Sequence, residues 1–178
     1  MKLLEPGAVR AELRDGRSPS LARRRVVGLL AAVGLVDFAV ITLYQIGLIR
    51  RLPDLPGRVF DSNRVNASAK AYERGLPDGA TGALGYAVVL ALASAGGSRR
   101  SGRSPLLDLA LGGVVAASAA TAAGYLWNMA REQEKACAYC IVGAALNFAM
   151  LPLVAPDVRD AVEELRPARR RGLRRLSA

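Results

Sequence analysis

The residues best suited to chemistry are Cys137-Ala138-Tyr139-Cys140, which contain the only two cysteines of the chain. A spacing of i, i+3 on a helix puts both sulfurs on one face, one turn apart. The pair stands where a polar turn gives way to an apolar run, so it is expected to open a helix. Unpaired N–H groups and the macrodipole at a helix N-terminus favour a thiolate. A thiolate beside a second cysteine opens and closes a disulfide by exchange. Two other uses compete. A four-coordinate metal site lacks ligands, because the chain has no histidine and no second cysteine pair. An inert staple across so short a segment constrains little chain entropy. Redox work is the favoured reading.

The residues after the pair shape its surroundings. Cys137, Cys140, Ala144 and Asn147 share a helix face, Gly143 and Ala144 leave room beside Cys140, and Asn147 offers a hydrogen-bonding end. A disulfide opening into a small membrane pocket suits a lipid-soluble electron carrier, and a quinone fits in shape and location. Asp37 falls near the middle of another apolar run, where a charge costs roughly 2.5–3.5 kcal/mol on insertion scales. It reads as a proton relay or as an interhelical hydrogen bond to Asn147. The second is favoured, because no chain of acids leads away from it.

These groups need elements to hold them. The 178 residues make one domain, with 52% apolar residues and 25 basic against 15 acidic side chains. The apolar residues fall in blocks and the arginines between them, the pattern of an integral membrane protein. That excludes a disordered chain, a collagen-like chain and a disulfide-rich module. The net charge of +10 is read as topology and anionic lipid before nucleic acid, including at Arg169–Arg175.

Four spans are predicted, over residues 26–49, 79–97, 106–129 and 137–155. The fold class is therefore an all-α integral membrane four-helix bundle covering residues 26–155. Basic tails occupy 1–25 and 156–178, and a loop at 50–78 joins the first two spans. The two tails and the connection with Arg99, Arg100 and Arg103 hold 17 of the 25 basic residues. Both termini are expected in the cytoplasm of a cell with this chain in its inner membrane, with the loop and the Cys-x-x-Cys pair facing the periplasm or exterior. The first span is too long for a cleaved signal, and Arg50-Arg51-Leu52-Pro53 follows it, so it reads as an anchor. Small-residue ladders at Ala83, Ala87, Ala91 and Ala95 and at Gly112, Ala116, Ala120 and Gly124 are expected to face neighbouring helices. Tyr125 and Trp127 mark the outer interface.

In this order of spans, with a long first loop and Cys-x-x-Cys opening the last helix, the chain resembles the vitamin K epoxide reductase family over about residues 26–155. The resemblance implies that Cys140 faces a quinone and Cys137 exchanges with an incoming thiol. Pro77-Asp78-Gly79-Ala80-Thr81-Gly82 matches the family's entry to the second helix, with Asp78 where an asparagine bonds the quinone carbonyl, a bond that Asp78 donates only when protonated. Asp78, Gly82, Ala144 and Asn147 are thus the expected quinone-binding set. Ala144 replaces the tyrosine of animal enzymes, which argues against epoxide reduction. The family's loop cysteines are matched to Phe60 and Ser68, so no internal thiol relay is expected, and a thioredoxin-like or other dithiol protein would exchange with Cys137. Phe60, Val65 and Tyr72 are expected to pack inward as a cap. Asn66-Ala67-Ser68 also fits a glycosylation sequon.

The expected activity is that of a membrane thiol–disulfide oxidoreductase coupling the Cys137–Cys140 disulfide to reduction of ubiquinone or menaquinone, with membrane lipid around it and no metal. The alternative is a non-catalytic quinone- or partner-binding module. A metal transporter lacks a second ligand set along any span.

Overall fold

In a computed structural model, which describes residues 6–73, 75–98, 100 and 104–176, the described residues are helical apart from turns and one isolated bridge. The helices are α1 (Pro6–Asp15), α2 (Pro19–Gln45), α3 (Ser62–Asn66), α4 (Asp78–Ser94), α5 (Pro105–Asn128) and α6 (Ala138–Leu176). A 3-10 turn covers Ala69–Tyr72 and a π turn Met129–Gln133. Lys2, Arg99 and Arg103, assigned above to the cytoplasmic side, lie outside the described residues, as do the side chains of Arg169–Arg175.

Three helical stretches are long and apolar enough to cross a membrane: Pro19–Gln45, Pro105–Gln133 and Ala138–Arg166. α4 is apolar but shorter, at 17 residues. α2 packs on α4 and α6, and α5 packs on α6 and α4. Val27 and Ala31 of α2, Tyr86 and Val89 of α4, Val115 of α5 and Met150 of α6 meet in the apolar core.

The helix ends differ from the expected spans for local reasons. α2 starts inside the basic tail, because the Ser18 hydroxyl accepts from the Leu21 N–H and Pro19 occupies the first turn. It stops short of residue 49 because Gly47 turns left-handed, at φ +80°, and its N–H returns to the Tyr44 carbonyl. α6 continues beyond residue 155 to Leu176, and no left-handed glycine follows residue 155 among the described residues.

Packing corrects three expectations. The Gly112–Gly124 ladder does not form the contact face of α5: Ala116, Ala120 and Gly124 are exposed, while Leu111, Val115 and Ala119 are buried. Gly112 alone of its ladder is tightly engaged, its missing Cβ being filled by Val158. Arg24 and Arg100 are not solvated topology markers but buried at 2% and 1% exposure. They donate to the carbonyls of Ala95 and Gly97 (Arg24) and of Leu92 and Ala95 (Arg100), closing the C-terminal end of α4, whose last carbonyls have no helical partner. Arg100 also pairs with the buried Asp108 carboxylate at 2.5 Å. Finally, Asp37 and Asn147 do not bond. Asn147 donates back to the Gly143 carbonyl of its own helix at 3.1 Å. Asp37 lies against Gly143, its Oδ2 buried without a hydrogen-bond partner among the described residues.

Candidate functional site

Cys137 precedes α6 and caps it. Its carbonyl accepts from the Ile141 N–H at 3.1 Å, and its sulfur accepts from the Cys140 N–H at 3.1 Å. The sulfur thus takes the place that an oxygen usually takes at an N-cap. Cys140 follows three residues later, inside the first turn, and both cysteines are free thiols.

The loop closes over this helix start. Asp61 caps α3 by accepting from the Arg64 N–H at 2.9 Å. Asp61 N–H donates to the Ala136 carbonyl and Ala136 N–H to the Val59 carbonyl, at 3.0 and 2.8 Å, so the loop is stitched to the stretch of chain just ahead of Cys137. Ser62 and Asn66, at i and i+4 of α3, face the same way. The Asn66 amide donates to the Cys137 sulfur at 3.2 Å and to the Ser62 carbonyl at 2.7 Å. The Ser62 hydroxyl, close by, accepts from the Ala138 N–H at 3.0 Å and donates to Asp54 at 3.1 Å. With Val65 and Met129 beside it, Cys137 has no exposed surface.

The loop positions matched to the family's cysteines lie apart from the Cys137 sulfur. Phe60 contributes only a backbone bridge to Ala136, and the Ser68 hydroxyl bonds the Val65 carbonyl. α3 begins after Phe60 and ends before Ser68, and from it the Asn66 amide reaches the Cys137 sulfur while Ser62 bonds the neighbouring Ala138 N–H. Val65 packs inward as expected and Phe60 is half-buried, but Tyr72 is exposed, donating from above to the Gln45 carbonyl at 3.1 Å. Asn66, at 2% exposure, is not a glycan acceptor in the folded chain.

The donors around Cys137 act on its ionisation. The hydrogen bond from Cys140 is the largest influence, burial opposes it, and the Cys140 N–H, Asn66 and Ser62 add to it; together they lower the Cys137 thiol to about 7.

On the other side of Cys140 lies a cavity of about 310 Å³ between α2, α4, α5 and α6. All of Asp78, Gly82, Ala144 and Asn147 line it with Cys140, whereas Cys137 does not. The two cysteines stay side by side, as the i, i+3 spacing predicts, with Cys137 against the loop and Cys140 also lining the cavity. Phe38 forms one wall, its ring lying where a Cβ on Gly82 or Gly143 would be. Tyr86 completes this wall, stacked at a tilt on Phe38 and donating to the Gly143 carbonyl at 2.7 Å.

Asp78 opens α4 and is held from two sides. The Gln45 amide donates to it at 2.6 Å, and Gln45 Oε1 accepts from the Gly79 N–H at 3.0 Å. The Tyr125 hydroxyl hydrogen-bonds the same carboxyl. Sequence reasoning missed Ser62, Asn66, Gln45 and Tyr125. Only the i, i+4 spacing of Ser62 and Asn66 offered a signal, and the sequon reading obscured it.

The cavity has the size of a small-ligand site, with apolar walls and a few polar groups gathered near Cys140. Asp78, Tyr125 and Asn147 are among its polar lining residues, and Phe38 and Val114 among its apolar ones. A comparison with curated proteins finds no match. A comparison with family models matches residues 25–155 to the vitamin K epoxide reductase family. With that match covering most of the chain, and with its cysteine pair opening the last long helix, the chain belongs to the vitamin K epoxide reductase family, a family of oxidoreductases in the membrane.

Proposed function

We propose that the chain is a membrane thiol–disulfide oxidoreductase that oxidises a dithiol partner outside the cytoplasm and passes the electrons to a quinone. In this reading α2, α4, α5 and α6 all span the membrane, and the tails are cytoplasmic. The loop and Cys137 then lie on the outer side. One observation carries the proposal: two sulfurs one turn apart open onto different surroundings, Cys137 onto polar donors under the loop and Cys140 onto the cavity.

The division suits a two-step exchange. Attack of a partner thiolate on Cys137 breaks the Cys137–Cys140 bond, and the leaving Cys140 thiolate faces the cavity. A second partner thiol resolves the mixed disulfide, releasing Cys137 into the hydrogen bonds of the Asn66 amide and the Cys140 N–H, which favour its thiolate. The reduced pair then returns to the disulfide as two electrons leave through Cys140. A quinone supplies the two-electron acceptor when bound. Asn147 and Asp78 would orient its oxygens, and the apolar walls exclude water.

With Cys137 sealed, the partner reaches it only when α3 lifts. The seal depends on the Asp54–Ser62 bonds and the paired bonds between Asn63 and Leu52. The Cys140→Ser variant should trap a dithiol protein on Cys137 as a mixed disulfide, more of it when Asp54→Ala loosens the loop. Cys137→Ser should trap none. Failure of both Cys140→Ser chains to form any thiol-linked adduct would refute the exchange.

The second reading, a binding module without turnover, draws on Ser62 and Asn66. These put no sulfur over Cys137, so no internal relay feeds the pair. Quinone reduction by purified protein with dithiothreitol separates the two. A rate unchanged by the double Cys137→Ser, Cys140→Ser replacement would favour the module.

A further inference from the structure

A second cavity, of about 330 Å³, lies at the loop end of the helices, and Lys70, Glu73, Asn128 and Glu132 line it. Asp78, Thr81, Thr121 and Tyr125 line both this vestibule and the inner cavity. Of these four only Asp78 carries a carboxyl, so it forms part of the wall between a polar chamber and the chamber that holds Cys140. We infer that Asp78 carries protons from the vestibule to the quinone as the cysteine pair is oxidised. The inference rests on the quinone reading above and adds to it the route of the proton.

The wall is built for transfer. Gln45 of α2 donates to one carboxyl oxygen at 2.6 Å, and the Tyr125 hydroxyl of α5 reaches the carboxyl as well. Gln45 is itself anchored, donating to the Asn66 carbonyl at 3.2 Å and accepting from Gly79. The carboxyl therefore keeps one position while its proton comes and goes. The charged and titratable groups that face it are Cys140 of α6, Tyr125 of α5, Lys70 and Glu73 of the 3-10 turn and Glu132 of the π turn. Lys70 and Glu73 are already paired at 2.6 Å.

Cys137 thiolate and Cys140 thiol form one S–S bond, releasing two electrons and one proton. The quinone takes up both electrons and that proton. Asp78 gives the second proton to a quinone oxygen, which completes the quinol, and takes a replacement from vestibule water. An asparagine, which the family resemblance places here, would hold the oxygen but carry no proton.

The test measures quinone reduction by the full chain with dithiothreitol across pH, for the native protein and for Asp78→Asn and Asp78→Glu. A proton relay predicts that Asp78→Asn lowers kcat at least about tenfold, in line with general acid catalysis, while KM stays within about twofold. It predicts too that the fall of kcat at rising pH, imposed by the need for a protonated carboxyl, disappears in Asp78→Asn and persists in Asp78→Glu. Formic acid should restore part of the Asp78→Asn rate. An Asp78→Asn chain with native kcat and native pH profile would overturn the relay and leave the quinone reading standing. A native chain that reduces no quinone, with both thiols titratable, would overturn that reading and the relay together.

Discussion

Replacing Asn66 by alanine should raise the pH at which Cys137 ionises by about one unit. The amide is one of the groups that donate to this sulfur, at 3.2 Å, beside the Cys140 N–H at 3.1 Å. A hydrogen bond to a charged group contributes about 1.5–3 kcal/mol, and part of that also favours the neutral thiol. A differential of about 1.4 kcal/mol corresponds to one unit. The Cys137 midpoint would then move from about 7 to about 8. The sign follows from the charge: the donor favours the thiolate, so its loss returns the group toward the ordinary thiol range. At pH 7 the thiolate fraction would fall from about a half to about a tenth. The assay is a pH titration of the thiolate absorbance in detergent, with the pair reduced, alongside Asn147→Ala as a control that bonds Gly143 and not sulfur. Because Asn66 is buried, the alanine also costs about 1–2 kcal/mol of stability, which a melt measures separately. A midpoint that stays at its native value, or moves down, would refute the role given to Asn66.

Two further outcomes test the surrounding architecture. Gly82→Ala drives a methyl into the Phe38 ring, which Gly143 blocks from behind; the ring must move into the cavity, so the quinone KM should rise about tenfold or more and stability should fall by about 1–3 kcal/mol. A normal KM would show that the cavity is not the quinone site. Asp108→Ala leaves the Arg100 guanidinium buried without its partner, so it should destabilise by about 3–5 kcal/mol in a denaturation experiment. The paired Arg100→Met, Asp108→Leu replacement should recover most of that, and recovery failing would argue that the arginine matters chiefly as the cap of α4.

The parts of the site carried by one stretch of chain are legible in the residues themselves. The i, i+3 cysteines name their own chemistry, and the helix start that holds them follows from an apolar run after a polar turn. Asp78, Gly82, Ala144 and Asn147 follow from the residues around the pair and from the family pattern, and they line one cavity with Cys140. Contacts between distant segments are less legible. Asp37 meets α6 at Gly143, one turn before Asn147, and Asn147 satisfies itself on its own helix. That Asn66 reaches Cys137 depends on where α3 starts and on how the loop folds over α6. A ladder of small residues specifies a narrow helix face but not which neighbour it meets.

Residue type and order alone dictate that this chain is helical, that it carries helices apolar enough for lipid, and that its reactive groups are one sulfur pair. Those properties depend on composition and on periodicity along a single helix, which neighbours do not alter. The packing of the folded chain is what seals Cys137 under Ser62 and Asn66 while Cys140 opens to a cavity, and what sets Asp78 at the border of two chambers. Each of these depends on the angle at which separate helices and a loop meet, and that angle is set by side-chain packing and hydrogen bonds between segments far apart in the chain.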